Sequence, residues 1–262
     1  MCGSPTAAKS PTWRLLTRQF GCVAAILLLS AAAGVAQTPP ETLQISPHQG
    51  EMSASLQAPE DQRDVTDTLV FEPWELIEEM FLRNDVVWVM RHGPTDWSKL
   101  DIKDVAPADC ANQRILSAQG RIDMKNLGIL LAENDVLPGR IVVSQWCRNQ
   151  QTVETLLEGA ALVDPAYPSQ VVVETNPALN LLLALQGAPS VRDLREIVSS
   201  WTGEGADGPL LVITHFTNIQ EMLDFSVYEG EVLVVDPKRA NRVLGYLRLK
   251  SAGPDVGHFK VE

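Results

Sequence analysis

The sequence predicts an α/β fold, a three-layer sandwich in which helices cover both faces of a mostly parallel sheet. Short runs rich in Val, Ile and Leu suit buried strands, and segments with helical apolar spacing separate them. These runs lie at residues 86–90, 141–143, 171–173 and 210–213, and a closing pair of strands lies at 232–235 and 243–249. The chain has 262 residues, 45% of them apolar, which is enough for one such domain with additional segments.

Capping residues and apolar spacing predict the helices between these strands. A first helix begins at Pro73, and Ser117 can cap a second that ends near Asn134. Another follows the 141–143 strand. Ser190 and Asp193 form a capping pair for a later helix.

The first 36 residues have the pattern of a secretory signal peptide. A basic start precedes an apolar run of about 14 residues (23–36), short of the ~20 that a membrane-spanning helix needs. Small residues at Gly34 and Ala36 suit cleavage, so the mature chain is expected to begin near Gln37. An uncleaved anchor is the alternative, but no basic stop-transfer cluster follows the run. We therefore expect a secreted, periplasmic protein without a stable membrane anchor.

The mature chain divides into two parts by composition. Residues 37–67 are rich in Pro, Gln, Ser, Glu and Asp with scattered apolar residues, which is typical of a flexible leader. Apolar periodicity begins near Thr68, so the folded domain is predicted to cover 68–262.

The charge balance excludes some classes of partner. Removing the signal takes away three basic residues and no acidic ones, so the net charge goes from −12 to −15. Such a chain is unsuited to binding nucleic acid and has no basic patch for an anionic membrane. A phosphate-binding site in this protein must be a local concentration of positive charge.

Two cysteines, Cys110 and Cys147, remain after the signal is removed. In an oxidising compartment two thiols favour a disulfide. Two separate buried thiols are the alternative.

Cationic and imidazole groups follow three of the four apolar runs that precede the closing pair. Arg91 and His92 follow the first, Arg148 comes shortly after the second, and His215 follows the fourth. Ligands of open α/β sheets bind beyond the carboxyl ends of the strands. Arginines suit a tetrahedral anion, and a neutral imidazole can attack phosphorus and carry the group as phosphohistidine.

Four ordered segments carry a family resemblance. Residues 91–98 (RHGPTDWS), 116–121 (LSAQGR), 144–152 (SQWCRNQQT) and 214–219 (THFTNI) resemble the conserved segments of the histidine phosphatase superfamily. The resemblance covers about residues 86–236 and implies a phosphoglycerate-mutase-like fold. The nearest likeness is to small exported members, including those linked to bacterial envelope lipopolysaccharide.

The resemblance implies roles for the strand-end residues. His92 would be the phosphoryl acceptor, and Arg91, Arg148 and His215 would form the pocket around it. Thr95 would add a hydroxyl donor.

Three positions depart from the family pattern. Ser98 stands where many relatives have an asparagine that touches the phosphoryl group. Leu181 and Phe216 stand where the two main branches keep their acid. Glu174, at the end of the third predicted strand, is the best substitute as general acid, with a solvated strand-end carboxylate as the alternative interpretation of it. Asp96, on the first loop, is a weaker candidate for the acid.

The function predicted is therefore an exported phosphoric ester hydrolase of the histidine acid phosphatase type. Its partner would be a small phosphorylated substrate or a phosphorylated envelope component, with no cofactor and no metal. The alternative is a non-catalytic module that binds phosphorylated envelope glycans or lipids. A cytoplasmic mutase does not fit an exported chain, and a cysteine phosphatase is set aside because Arg148 directly follows Cys147. No histidine and cysteine spacing suggests a zinc site.

Overall fold

The structure, a computed structural model, describes residues 50–52, 69–72, 79–80, 82–253 and 255. The predicted signal peptide, most of the predicted leader and most of the helix predicted from Pro73 lie outside these residues.

Eight strands form one sheet in the described part of the chain, in the order β1-β2-β8-β7-β3-β6-β4-β5. The strands are β1 (Gly50–Met52), β2 (Leu69–Glu72), β3 (Val87–Arg91), β4 (Arg140–Val143), β5 (Val172–Thr175), β6 (Leu210–Thr214), β7 (Val232–Asp236) and β8 (Arg242–Leu249). In the six strands from β8 to β5, only β7 runs against the others. The carboxyl ends of β3, β6 and β4 therefore meet at one edge of the sheet.

In the described ranges, five α-helices with assigned bounds connect or flank these strands. They are α1 (Ala118–Glu133), α2 (Cys147–Val163), α3 (Tyr167–Gln170), α4 (Arg192–Ser199) and α5 (Phe216–Leu223). Helices α1 and α2 pack on one face of the sheet, and α4 and α5 pack on the other. The α/β class with helices on both faces, predicted from the sequence, is confirmed.

The alternation of side chains along β3 separates two apolar cores. Trp88 and Met90 belong to the core under α1 and α2, and Val87 and Val89 belong to the core under α4 and α5. All four are fully buried. A strand buried on both faces reads as a continuous apolar run, which is why the sequence located this one correctly.

Helices α1 and α2 approach each other closely at two glycines. A Cβ at Gly159 would overlap the carbonyl oxygen of Lys125, and one at Gly128 would overlap that of Leu156. The absence of a side chain at both positions brings the two backbones together. This contact positions the beginning of α2, which carries Arg148.

Three details differ from the sequence-based expectations. Helix α4 has Val191 at its N-cap, and Ser190 instead accepts a bond from the Arg192 amide, so the predicted capping pair is not formed. Strand β1 lies inside the predicted leader and pairs with β2, because backbone pairing at a sheet edge needs no apolar periodicity. Strand β5 is an edge strand whose Val172 is 58% exposed.

Within the described ranges, no helix combines the length and the apolar composition that crossing a membrane requires.

Candidate active site

The strand-end residues meet at one edge of the sheet. Arg91 ends β3 and His92 follows it, His215 directly follows β6, and Arg148 is the second residue of α2 after β4. Each is at most 2% exposed. The His92 amide donates to the Thr214 carbonyl at 3.1 Å, which fixes the end of β3 beside the end of β6.

The His92 ring has one orientation set by its own loop. Its Nδ1 lies 3.0 Å from the Gly93 carbonyl oxygen, which can only accept a hydrogen bond. The proton therefore resides on Nδ1, and Nε2 keeps its lone pair. Nε2 is the nitrogen available for attack on a ligand.

The His215 ring lies beside it, with ring centroids 5.6 Å apart. His215 Nε2 lies 3.1 Å from the Ser144 hydroxyl, which is also 3.1 Å from the Asn180 side-chain oxygen. The one hydroxyl proton of Ser144 goes to the Asn180 oxygen, so the proton of the neutral His215 ring is on Nε2, which donates to Ser144. In the described part of the chain Nδ1 has no hydrogen-bond partner and keeps the lone pair of the neutral ring.

Both rings are held in the neutral form. Burial lowers the pKa of His92 well below its usual value, and the positive charges of Arg148 and Arg91 lower it further. The pKa of His215 is lowered by burial, then by Arg148, Arg91 and Arg114. Only a neutral imidazole has a lone pair for attack on phosphorus.

The Arg148 guanidinium is anchored on one side only. Its Nη1 lies 3.1 Å from each Asp101 carboxylate oxygen and donates to the Arg114 carbonyl. Burial lowers the pKa of Arg148 to about 10, so it stays charged at neutral pH. The preceding residue forms the Cys110–Cys147 disulfide, with Cα atoms 5.5 Å apart. The predicted disulfide is present.

Arg91 is held by the loop that precedes β7 and by the C-terminal segment. It donates to the Val227 carbonyl at 3.0 Å and to Asp255 at 2.9 Å. Its guanidinium lies 5.3 Å from the centre of the Phe216 ring. The Nε atoms of Arg91 and Arg148 have no hydrogen-bond partner among the described residues.

A buried glutamate, Glu229, organises the first loop and was missed by the sequence analysis. The Thr95 hydroxyl donates to it at 2.6 Å and the Thr95 amide at 2.9 Å. Glu229 also accepts bonds from Trp97 and Arg91, and Arg114 lies 3.9 Å away. The structure thus corrects the expectation for Thr95, whose hydroxyl is committed to Glu229 and does not line the cavity.

Ser98 also differs from its expected role. Both its amide and its hydroxyl donate to Asp96, at 3.0 and 2.6 Å, on the exposed outside of the loop. It does not line the cavity. Ser98 therefore shapes the loop and makes no contact with the anion-binding side chains.

The structure does not bring Glu174 to the site. The side chain pairs with Arg140 of the neighbouring strand, and both are exposed at the sheet edge. Bonds from Arg140 and Asn176 lower the pKa of Glu174, which favours the carboxylate. A solvated, ion-paired carboxylate that does not line the cavity with His92 and His215 does not fit a general acid.

Two further arginines line the cavity and were not identified from the sequence. Arg114 stacks on the Trp97 ring, 3.5 Å from its centre. Arg248 lies between the rings of Tyr228 and Tyr246 and is held by the buried Glu231. Neither arginine follows a strand end. The only sequence feature that could have placed one of them near the site is the segment 116–121, which lies next to Arg114.

These residues surround a cavity of about 740 Å³. Its floor contains the four strand-end residues Arg91, His92, Arg148 and His215. Leu181 and Phe216, the two positions that lack the family acid, both line its wall. The residues described contain no cluster of three or more His, Cys, Asp or Glu side chains that suits a metal ion.

The floor is built to receive a tetrahedral anion. Two buried guanidinium groups and two imidazole rings line it together, and the planar donors of guanidinium groups suit the oxygens of a phosphate. The free Nε2 of His92 lies among them. The site therefore combines an anion receptor with a nucleophile.

No family model matches the chain, and no curated protein matches it significantly. Similar solved structures include the protein histidine phosphatase SixA complexed with tungstate, at 19% identity and a TM-score of 0.43 over 64% of this chain and 95% of that one. A candidate phosphohistidine phosphatase SixA from Agrobacterium tumefaciens is 14% identical, with a TM-score of 0.41 over 65% and 98%. A candidate α-ribazole-5′-phosphate phosphatase from Escherichia coli is 21% identical, with a TM-score of 0.37 over 58% and 90%. The likeness is distant, and the residues of the site itself have to account for its chemistry.

Proposed function

We propose that this protein is a phosphatase that hydrolyses a phosphoester through a phosphohistidine formed on His92. The observation that supports this best is the state of the His92 ring. Its Nδ1 donates to the Gly93 carbonyl, its pKa is lowered, and Nε2 is left as a neutral nucleophile among two arginines and a second histidine.

The reaction follows from this geometry in two displacements. His92 Nε2 attacks phosphorus, the N–P bond forms, and the bond to the ester oxygen breaks so that the leaving group departs with its electron pair. Water then attacks the phosphohistidine, the N–P bond breaks, and inorganic phosphate leaves. His92 returns to its neutral form.

The surrounding cations supply most of the assistance to both steps. Phosphoryl transfer depends chiefly on positioning and on stabilising the charge of the equatorial oxygens. Arg91 and Arg148 offer donors for those oxygens, and Arg114 adds a third guanidinium at the cavity wall. Burial strengthens each of these interactions because water is largely excluded.

One observation favours the alternative of a non-catalytic binder. The two described carboxylates that line the cavity, Asp101 and Asp255, both accept hydrogen bonds from arginines. Such a site would still bind a phosphorylated ligand. If the leaving group needed a proton to depart, the site would bind the ligand without hydrolysing it.

The test is substitution of His92 by alanine. We expect His92→Ala to lower phosphate release from an aryl phosphate more than about 10⁴-fold while the melting temperature shows that the fold persists. His48→Ala, at a histidine of the predicted leader and outside the described residues, is the control and should keep full activity.

Two outcomes would contradict the proposal. A folded His92→Ala protein with near-normal turnover would refute His92 as the nucleophile. Tight vanadate binding by the wild type, with no hydrolysis of any phosphate ester, would support the binding module instead.

We also propose that the chain is exported to the periplasm and that its substrate is a small phosphoester or a phosphorylated envelope component. The signal-like residues 1–36 and a disulfide between the two remaining cysteines support export. Cell fractionation with N-terminal sequencing tests it, with Gln37 as the expected first residue. Full-length protein in the cytoplasm would overturn it.

A further inference from the structure

The wall of the cavity differs in character from its floor. Above the arginines and histidines, six side chains with large apolar surfaces line the space, three of them aromatic. They are Trp97, Leu100, Leu181, Phe216, Val227 and Tyr228. A bound phosphoryl group would occupy the charged floor, so the remainder of the ligand would lie against this wall.

The size of the cavity allows for such a remainder. Its volume of about 740 Å³ lies in the range of about 300–1,000 Å³ that is usual for small-molecule sites. A phosphoryl group alone would leave most of it empty. The aromatic part of the wall is held firmly, because the Trp97 ring stacks against the Arg114 guanidinium.

The carboxylates of the cavity are already committed. Asp101 accepts bonds from Arg148 Nη1 and from the Arg114 amide, the latter at 2.7 Å. Asp255 accepts a bond from Arg91 at 2.9 Å. Both carboxylates therefore form ion pairs with buried arginines, which does not suit a proton donor to a leaving group. Among the described residues that line the cavity, no other Asp or Glu is present.

We propose that the site takes an aryl phosphate monoester, whose apolar ring lies against Leu181 and Phe216 and leaves as a phenolate. This inference rests on the proposed function. A phenol has a pKa near 10, far below the 15.7 of water, so a phenolate can depart without a donated proton. It then takes its proton from solvent. A phenolate is also apolar in its ring, which is what the wall recognises.

Two other classes of ester each fit only one of the two observations, which are the apolar wall and the pairing of both cavity carboxylates with arginines. An apolar alkyl phosphate fits the wall, but its alkoxide needs a proton from an acid. A phenyl phosphate that carries a second negative charge has a good leaving group, but it must desolvate that charge against Leu181 and Phe216. The further arginines of the cavity already face carboxylates, Arg248 that of Glu231 at 2.8 Å and Arg114 that of Glu229 at 3.9 Å.

The experiment separates ring recognition from leaving-group chemistry. We would measure kcat and KM for 2-naphthyl phosphate, for a carboxylate-bearing aryl phosphate of matched phenol pKa, and for octyl phosphate. The kcat/KM for the naphthyl ester should be at least about tenfold higher than that for the charged aryl ester, because its KM is lower. Octyl phosphate should be hydrolysed more slowly than either aryl ester, because its kcat is lower.

A matched pair of variants locates the effect. Leu181→Asn should raise KM for the naphthyl ester about 5- to 20-fold, with kcat unchanged and with little change for the charged ester. Leu183→Asn is the control, because Leu183 is 88% exposed and does not line the cavity. It should behave as the wild type.

The failures of the two proposals are distinguishable. Hydrolysis of the two aryl esters at equal kcat/KM, or faster hydrolysis of octyl phosphate, would overturn the aryl specificity and leave the phosphatase proposal standing. Hydrolysis of none of the three would overturn the phosphatase proposal itself.

Discussion

The floor and the wall of the cavity are built by different kinds of chain segment. The floor residues follow β3 and β6 or begin α2, are at most 2% exposed, and are fixed by backbone bonds such as that from His92 to Thr214. The wall comes mostly from loops, and Leu100 within it is 72% exposed. Chemistry that needs precise geometry thus rests on the sheet edge, and selection of the ligand rests on segments that can vary.

The disulfide is the covalent link between these two regions. Cys110 belongs to the long first loop and Cys147 begins α2, next to Arg148. Cys110→Ala with Cys147→Ala should lower the free energy of unfolding by about 3–4 kcal/mol, since a loop of 37 residues is no longer closed in the unfolded chain. Urea unfolding measures this change in the free energy of unfolding. Reduced wild-type protein should show the same loss, and unchanged stability in both samples would contradict the link.

The largest effect on the floor alone is expected at Arg148. Arg148→Ala should weaken vanadate binding by about 1.5–3 kcal/mol, the range for a hydrogen bond to a charged group. Arg140→Ala removes an exposed arginine that pairs with Glu174 and serves as the control. Inhibition constants for vanadate check both, and equal values for the two variants would mean that Arg148 does not touch the anion.

The buried histidines make stability depend on pH. Their pKa values are lowered in the folded protein, first by burial and then by Arg148. An unfolded histidine titrates near pH 6.5, so below that pH the unfolded chain binds protons that the folded chain does not. Stability should therefore fall as the pH falls below about 6.5, by up to about 1.4 kcal/mol per pH unit for each histidine.

Urea unfolding at pH 7.5, 6.5 and 5.5 tests this, with His92→Asn for comparison. The variant should lose less stability than the wild type between pH 6.5 and 5.5, by up to about 1 kcal/mol. Parallel losses in the two proteins would show that His92 is not the titrating group.

The smallest effect is expected at Glu174, which belongs to neither region. Its partner is the exposed Arg140, and exposed ion pairs contribute about 0–1 kcal/mol. Glu174→Gln should therefore change stability by less than about 1 kcal/mol and leave kcat/KM unchanged for aryl and alkyl esters alike. A rate loss confined to alkyl esters would restore Glu174 as the acid.

Sequence-based prediction succeeds for the strand-end floor of the cavity and fails for contacts that the loops make. The three buried parallel strands β3, β4 and β6 and the positions of Arg91, His92, Arg148 and His215 could be predicted, because buried parallel strands are apolar throughout and their carboxyl ends meet at one edge. The hydrogen bond between Thr95 and Glu229 could not be predicted from the sequence. Glu229 lies 134 residues away, in a loop without periodicity.

The sequence by itself determined the layers of the fold, the residues of the cavity floor and the pair of cysteines, since each depends on local pattern or on residue type. Only the tertiary structure decided how the carboxylates are used. It places Glu229 under the first loop and Asp101 on Arg148, and it leaves Glu174 at an exposed edge. The physical reason is that charge pairing depends on distance and burial, which chain order does not encode for segments joined by loops.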